Sequence, residues 1–269
     1  MRKYFKSFVT ICRSFRHKDI LKSLRVRRNL VNIESEFGYS YKILYDKNNF
    51  CELAALCDQY GSDKGELTNI GNPYSWPSHN YTDFYSGLFR HCRSGVSKVF
   101  ECGLGTNSEL IRSSMGPLGK PGASLRVWKD FFPIAEIYGA DIDRSILFSE
   151  PRIKTGFMDQ TEPTSIHRFW HDFDISDFDL MVDDGLHTFH AGTTLFENSI
   201  NRLSVSGIYV IEDVKSEDII RYMNYFKTKP YNVEYVFLSN TVALRSDNNL
   251  VVIRNLADYH GVSPFCDQG

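Results

Sequence analysis

The sequence predicts an α/β domain with a doubly wound, seven-stranded, mostly parallel sheet, preceded by a basic helical extension. Three observations carry that prediction. From about residue 50 onward, short apolar runs alternate with stretches of helical periodicity. Several of these runs stop on glycines or acidic residues, as strands do at the edge where an open α/β sheet binds its ligands. The 269 residues, 42% hydrophobic and 14% aromatic, are enough for one large core.

Residues 1–48 read as the extension, 49–260 as the α/β domain and 261–269 as a tail. Ten of the 31 Lys and Arg residues fall within the first 30 positions, against a single acid, Asp19. On a helix, Tyr4, Phe5, Phe8, Ile11, Cys12 and Phe15 share one face, with Lys3, Lys6, Arg13 and His17 on another. Two readings stand for this amphipathic helix. Residues 1–28 attach to an anionic inner-membrane surface where lipid-bound glycans are assembled, or the helix docks on its own domain or on a partner subunit. No nucleic-acid motif accompanies the charge, so no such partner is expected. No uncharged run approaches a membrane span, and Arg13 interrupts the apolar stretch after Lys6 before a signal-peptide core forms. The six cysteines lack C-x-x-C spacing and read as reduced thiols, which with the absent span predicts a cytoplasmic protein.

Strands are expected at 98–102, 136–141, 153–157, 178–183, 207–212, 232–238 and 249–254. Between them, Leu125, Trp128 and Phe132 share a helical face, as do Leu195, Phe196, Ile200 and Leu203. The first of these strands runs into Glu101-Cys-Gly103-Leu-Gly105, whose glycines allow a bound cofactor close to the backbone. Ser108 stands where G-x-G-x-x-G needs its third glycine, which argues against a dinucleotide and against an oxidoreductase. At the next strand end, Asp141 in Gly139-Ala-Asp-Ile-Asp143 can accept hydrogen bonds from both hydroxyls of a ribose. One strand later, Asp159-Gln160 can read an adenine amino group.

Two further strands end on acids. Met181-Val-Asp-Asp-Gly-Leu-His187 is followed about twenty-five residues later by Glu212-Asp213, and neighbouring strands ending this way would gather carboxylates in one crevice, a hard-cation site with a histidine beside it. The competing reading makes Asp184 a turn residue and Glu212-Asp213 the cap of a helix beginning near Glu217. His190, one helical turn beyond His187, reads as a surface residue.

In this order, Tyr60-Gly-Ser-Asp-Lys64, His79-Asn-Tyr-Thr-Asp-Phe-Tyr85, Glu101-Cys-Gly-Leu-Gly105, Gly122-Ala-Ser-Leu-Arg-Val-Trp128, Gly139-Ala-Asp-Ile-Asp143, Asp159-Gln160, Asp183-Asp-Gly-Leu-His187 and Ile211-Glu-Asp213 resemble a known family. It is the class I S-adenosylmethionine-dependent methyltransferases, with their Rossmann-like fold, and within them the metal-dependent sugar O-methyltransferases of macrolide and related glycoside biosynthesis. Similar proteins occur in bacterial capsule and surface-glycan clusters. The resemblance implies S-adenosylmethionine held by Glu101, Gly103, Gly105, Ser124, Asp141, Ile142, Asp159, Gln160 and Asp183. It also implies Mg2+ on Asp184, Glu212 and Asp213, His187 as the catalytic base beside Asp184, a sugar or glycan-linked hydroxyl as acceptor, and a homo-oligomer. An amine or phosphate-linked acceptor without metal, and a non-catalytic subunit anchoring a glycan-assembly complex, are the alternatives.

The implied chemistry explains the residue types. A sugar hydroxyl is a poor nucleophile near neutral pH, so it needs a hard cation to make it more acidic and a base to take its proton. Two departures from the family pattern stand out. A loop from Thr106 to Pro121 separates the glycine strand from its helix, which would leave the N–H groups of Gly122, Ala123 and Ser124 free to hold the cofactor carboxylate. Leu186 replaces a small serine of the macrolide enzymes. Lys64 is expected to meet a phosphate or carboxylate of a ligand, or to be an ordinary surface lysine. Tyr81 and Tyr85 offer hydroxyls or core rings, and Trp76 offers a stacking face for a sugar.

Overall fold

Val99 and Phe100, neighbours on one strand, point to opposite faces of the sheet and enter two separate apolar clusters, as the two-residue repeat of a strand requires. The computed structural model describes residues 41–45 (backbone only), 51–68, 71–239 and 247–255. The amphipathic segment 1–28 and the tail 261–269 lie outside the described residues. The elements run β1 (Tyr41–Tyr45), α1 (Glu52–Tyr60), α2 (Tyr81–Phe89), β2 (Lys98–Cys102), α3 (Ala123–Phe131), β3 (Glu136–Asp141), β4 (Ser149–Glu150), β5 (Ile153–Phe157), α4 (Pro163–Phe173), β6 (Phe178–Asp183), α5 (Phe189–Ser199), β7 (Leu203–Ile211), α6 (Ile219–Phe226), β8 (Tyr231–Ser239) and β9 (Asn249–Asn255).

The sheet order is β1-β8-β9-β7-β6-β2-β3-β5-β4. All seven expected strands are present, and two further edge strands bring the sheet to nine among the described residues. β1 pairs with β8 in parallel, so the sheet gains a strand from residues 41–45, and β4 pairs with β5 antiparallel over two residues. Neither was legible, because edge strands this short carry little alternation of their own. β9 runs antiparallel to both β7 and β8, and the pairings β2–β3, β2–β6, β3–β5 and β6–β7 are parallel. Among the described residues no helix is long and apolar enough to cross a membrane.

Central β6 is buried along its whole length, since β2 and β7 flank it and helices cover both faces. One face packs Val99, Leu180, Val182 and Val210 against α1, α2 and α3 through Leu53, Tyr85, Leu125 and Trp128. The other packs Phe100, Tyr138, Met181 and Tyr209 against α4, α5 and α6 through Phe169, Trp170, Phe196 and Phe226. Pro163 opens α4, where its missing N–H costs nothing, and α1 ends on Gly61 in the left-handed conformation.

The register sets the site. Asp183 stands opposite Ile211 and Cys102, Cys102 opposite Ala140, and Asp141 opposite Phe157, so five strand ends share one rim. The ladder continues one step beyond the strands. Asp184 N–H donates to Cys102 O at 2.8 Å, Glu212 N–H to Asp183 O at 2.9 Å and Gly103 N–H to Ala140 O at 2.8 Å. The residues that leave the sheet are therefore as firmly placed as those within it.

Candidate active site

Above that rim lies a cavity of about 540 Å³, within the range of a cofactor pocket. Gly103, Gly105, Asp141, Ile142, Asp159 and Gln160 line one half, and Asp184, Leu186, His187, Glu212 and Asp213 the other. Segment 61–82, through Asp63, Lys64, Trp76, His79 and Tyr81, forms a wall over the second half.

On the first half, backbone does most of the positioning. Gly103 has φ 97°, and a Cβ there would lie 2.0 Å from the carbonyl oxygen of Asp184, so the glycine lets the two halves of the rim touch. Asp141 accepts Leu104 N–H at 2.7 Å and Asp143 N–H at 2.8 Å, one on each carboxylate oxygen. Burial pushes its carboxyl up, against the pull of those donors. Asp159 accepts the N–H and hydroxyl of Thr161 at 2.9 and 2.6 Å. Each carboxylate keeps further acceptor capacity for a ribose or an adenine amino group.

Three residues expected at the cofactor stand elsewhere. Glu101 is fully buried beneath the cavity, bonded by Ser124 and the indole N–H of Trp128. Ser124 is thus an anchor for Glu101, and it does not line the cavity. The N–H groups of Gly122 and Ala123 are already used, by Leu104 O at 2.7 Å and Lys120 O at 3.0 Å, because the left-handed Gly122 folds the helix start back onto the preceding loop. Two of the three N–H groups expected to cradle a carboxylate are therefore taken. Asp183 sits behind the rim, accepting from Gln160 Nε2 at 3.0 Å, while Gln160 Oε1 receives Leu186 N–H at 2.6 Å. Burial raises the Asp183 carboxyl to about 6. Its service is to hold Gln160 and the 184–187 loop.

The second half is built from side chains. Asp184 and His187 occupy the loop between β6 and α5, whose cap is Thr188, and Glu212-Asp213 lie well before α6, which starts at Ile219. The helix-cap reading of these acids therefore fails. His187 Nε2 is 3.3 Å from Asp184 Oδ1, and its Nδ1 is 3.3 Å from Asp213 Oδ2. These three side chains can present one ligand atom each, all within 4.8 Å of one another, a set of hard oxygens and an imidazole that suits a divalent cation. Both His187 and Asp213 are in the left-handed backbone region, at φ 54° and 52°. His190 points outward and is exposed.

Each acid uses one oxygen for the open centre and the other for the protein. Asp213 Oδ1 accepts Tyr81 OH at 2.6 Å and faces His79 Nε2 at 3.1 Å. Asp184 Oδ2 meets Lys64 Nζ at 2.7 Å. Glu212 differs from the expected ligand set, for both its oxygens are engaged, Oε1 by Tyr85 OH at 2.6 Å and Oε2 by Lys64. Lys64 is corrected too. It is 2% exposed, which rules out an ordinary surface lysine, and its ammonium meets carboxylates of the protein itself.

The charges follow from these contacts. Burial opposes the ionised form of every one of these groups. Against it, Asp184, Glu101 and Glu212 hold Lys64 protonated. Lys64 and His187 keep Asp184 well below the usual carboxylate range, and His79 and His187 do the same for Asp213. For His187, Asp213 and Asp184 outweigh burial and push the imidazole up to about 10. A bound cation would reverse that last shift, as it takes over the two carboxylates.

His79 was not singled out in the sequence. It stacks on Tyr81 at 4.3 Å and is fixed through Nδ1 by Asn248 at 2.9 Å, a partner 169 residues away. Tyr81 and Tyr85, expected as hydroxyls or core rings, are both: buried rings on α2 whose hydroxyls reach Asp213 and Glu212. Trp76 lines the cavity with its indole N–H held by Asp63 at 2.7 Å.

No family model matches the chain. Over 168 residues it is 32% identical to the 8-demethyl-8-alpha-L-rhamnosyl tetracenomycin-C 2'-O-methyltransferase of Streptomyces olivaceus, covering 61% of this chain and 38% of that one. Over 158 residues it is 33% identical to the mycinamicin VI 2''-O-methyltransferase of Micromonospora griseorubida, covering 57% and 37%. Over 163 residues it is 33% identical to the demethylmacrocin O-methyltransferase of Streptomyces fradiae, covering 60% and 39%. The chain thus spans less than two fifths of the length of these relatives. Among solved structures, MycE methyltransferase from the mycinamycin biosynthetic pathway, in complex with Mg, SAH and mycinamycin VI, superposes with a TM-score of 0.54 at 22% identity, covering 80% of this chain and 57% of that one. The fold is that of a Rossmann-like methyltransferase, and the sequence resembles sugar O-methyltransferases.

Proposed function

We propose that the chain is an S-adenosylmethionine-dependent, divalent-cation-assisted O-methyltransferase acting on a sugar hydroxyl of a glycosylated small molecule or glycan precursor. The observation that carries this reading is the meeting of Asp184, Asp213 and His187 at one end of a cavity whose other end is the glycine loop with Asp141. The rhamnosyl group in the name of the tetracenomycin relative favours a deoxysugar acceptor.

Gly103, Gly105, Asp141, Ile142, Asp159 and Gln160 would hold the cofactor, which supplies an electrophilic methyl on sulfur. Asp184 and Asp213 would hold Mg2+, with Glu212 against them, and the ion lowers the pKa of a coordinated hydroxyl. Asp213 would orient the imidazole through Nδ1, and Nε2 of His187, which faces Asp184 Oδ1 at 3.3 Å, would take the acceptor's proton when that carboxylate is held by the cation. Trp76, Tyr81 and Leu186, which line the cavity, would bound the space left for the acceptor. What remains is transfer between two held partners, where positioning supplies several kcal/mol of barrier lowering.

The test is transfer of a labelled methyl from S-adenosylmethionine to a panel of rhamnosides and related glycosides, with and without a chelator. Chelator-sensitive transfer to a sugar hydroxyl is expected. Transfer that survives chelation would move the reading to an amine or phosphate-linked acceptor, and no transfer to any acceptor would favour a non-catalytic subunit.

A further inference from the structure

Lys64 has three N–H donors and faces three carboxylates: Glu212 Oε2, Asp184 Oδ2 at 2.7 Å and Glu101 Oε1 at 3.4 Å. Two of those donors are hydrogen-bonded, to Asp184 Oδ2 and Glu212 Oε2, and the ammonium stands at ion-pair distance from Glu101 Oε1. Glu101 is the penultimate residue of β2, Asp184 follows β6 and Glu212 follows β7, and these three strands are adjacent in the sheet. One side chain therefore bridges three neighbouring strand ends.

The residues beside Lys64 are tied to the wall over the acceptor space. His79 N–H donates to Asp63 O at 2.8 Å and Thr82 N–H to Lys64 O at 3.2 Å, while Gly65 lies so close to Thr82 that a Cβ would overlap its side chain. Residues 63–65 and 79–82 are thus held together as a unit. It meets the rim through Lys64 and through the Tyr81 and His79 contacts to Asp213. Because Lys64 takes Oδ2 of Asp184, the Oδ1 atom is the one turned toward His187 and the open centre.

We infer that Lys64 is a positioning residue that docks segment 61–82 onto the strand ends and fixes Asp184 with Oδ1 presented to a cation. This rests in part on the metal-assisted reading above. Lys64 acts through Asp184 and Glu212 and does not touch the acceptor. Removing the partner of a buried carboxylate frees it to rotate or take a proton, and loss of such supporting groups lowers metal affinity by about 10–100-fold.

The experiment compares the wild-type chain with Lys64→Met and with Lys64→Met/Glu212→Gln, in which the buried charge is balanced again. Hydrogen exchange across 61–82 is followed without metal, Mg2+ and S-adenosylhomocysteine are titrated by calorimetry, and kcat and KM for the acceptor are separated. Lys64→Met is expected to speed exchange across 61–82 by about tenfold or more and to weaken Mg2+ by about 10–100-fold, with acceptor KM raised and S-adenosylhomocysteine binding within about twofold of wild type. The double variant should recover thermal stability without recovering protection or Mg2+ affinity, and it carries the test if the single variant does not fold. Wild-type protection and Mg2+ affinity in either folded variant would overturn the inference. If the wild-type chain itself binds no Mg2+, the metal-assisted reading falls with the ligand-orienting role, while the exchange data still decide whether Lys64 docks the wall.

Discussion

Around Asp184 and Asp213 the cavity is made of side chains drawn from distant parts of the chain, whereas around Gly103 and Asp141 it is made largely of backbone. Lys64 reaches Asp184 across 120 residues and Glu212 across 148. Asp141 is held by Leu104 and Asp143, and Asp159 by Thr161, all within the strand-end turns of the sheet. The first arrangement stores opposed charges out of water, where losing one partner leaves another uncompensated. The second spreads its hold over donors that a single side-chain change does not remove. The acceptor-side chemistry should accordingly be the more sensitive of the two to substitution.

The sharpest way to break that contrast is His187→Ala, for which we expect methyl transfer to fall by about 10²–10⁴-fold, measured as kcat, with S-adenosylhomocysteine affinity unchanged by calorimetry. A comparable loss of cofactor binding would show that the halves are not separable. Gly103→Ala attacks the point where they touch. The added Cβ meets the Asp184 carbonyl, so unfolding in urea should show a loss of about 3 kcal/mol, with both Mg2+ and cofactor affinity impaired. Asp141→Asn should weaken S-adenosylhomocysteine by about tenfold and leave Mg2+ binding as it was.

The smallest effect concerns protons. The His187 value of about 10 lies above the ordinary 6.5, so its contribution to the stability of the ion-free protein is complete below pH 6.5 and is lost as pH rises through 10. Cation and proton compete for the same carboxylate pair, so Mg2+ affinity should rise with pH toward 10. Titration at pH 7.5 in two buffers of different ionisation enthalpy should show a proton released on binding, and no release would mean that His187 keeps its proton beside the ion.

The same contrast explains what could be read from the chain alone. Residues at strand ends, namely Gly103, Asp141, Asp159, Asp184 and Asp213, were legible because apolar runs mark strands and a parallel sheet brings their ends to one rim. Glu101 and Asp183 stand at the right height in the fold with their side chains turned away from the cavity, since a one-residue step along a strand decides which face a side chain takes, while Ser124, in the first turn of α3, turns to Glu101. Lys64, His79 and Asn248 depend on loop paths that no periodicity encodes. The two added strands lie at opposite edges of the sheet and leave the rim unchanged.

The left-handed φ of His187 and Asp213 has a consequence for anyone who selects variants of this protein. Holding non-glycine residues there costs on the order of 1–3 kcal/mol each, so a screen that rewards solubility or heat resistance alone will enrich glycine or asparagine at both positions. Such a lineage would grow sturdier with each round while discarding the imidazole and one of the two carboxylates that face it, and only a parallel selection for product would keep them.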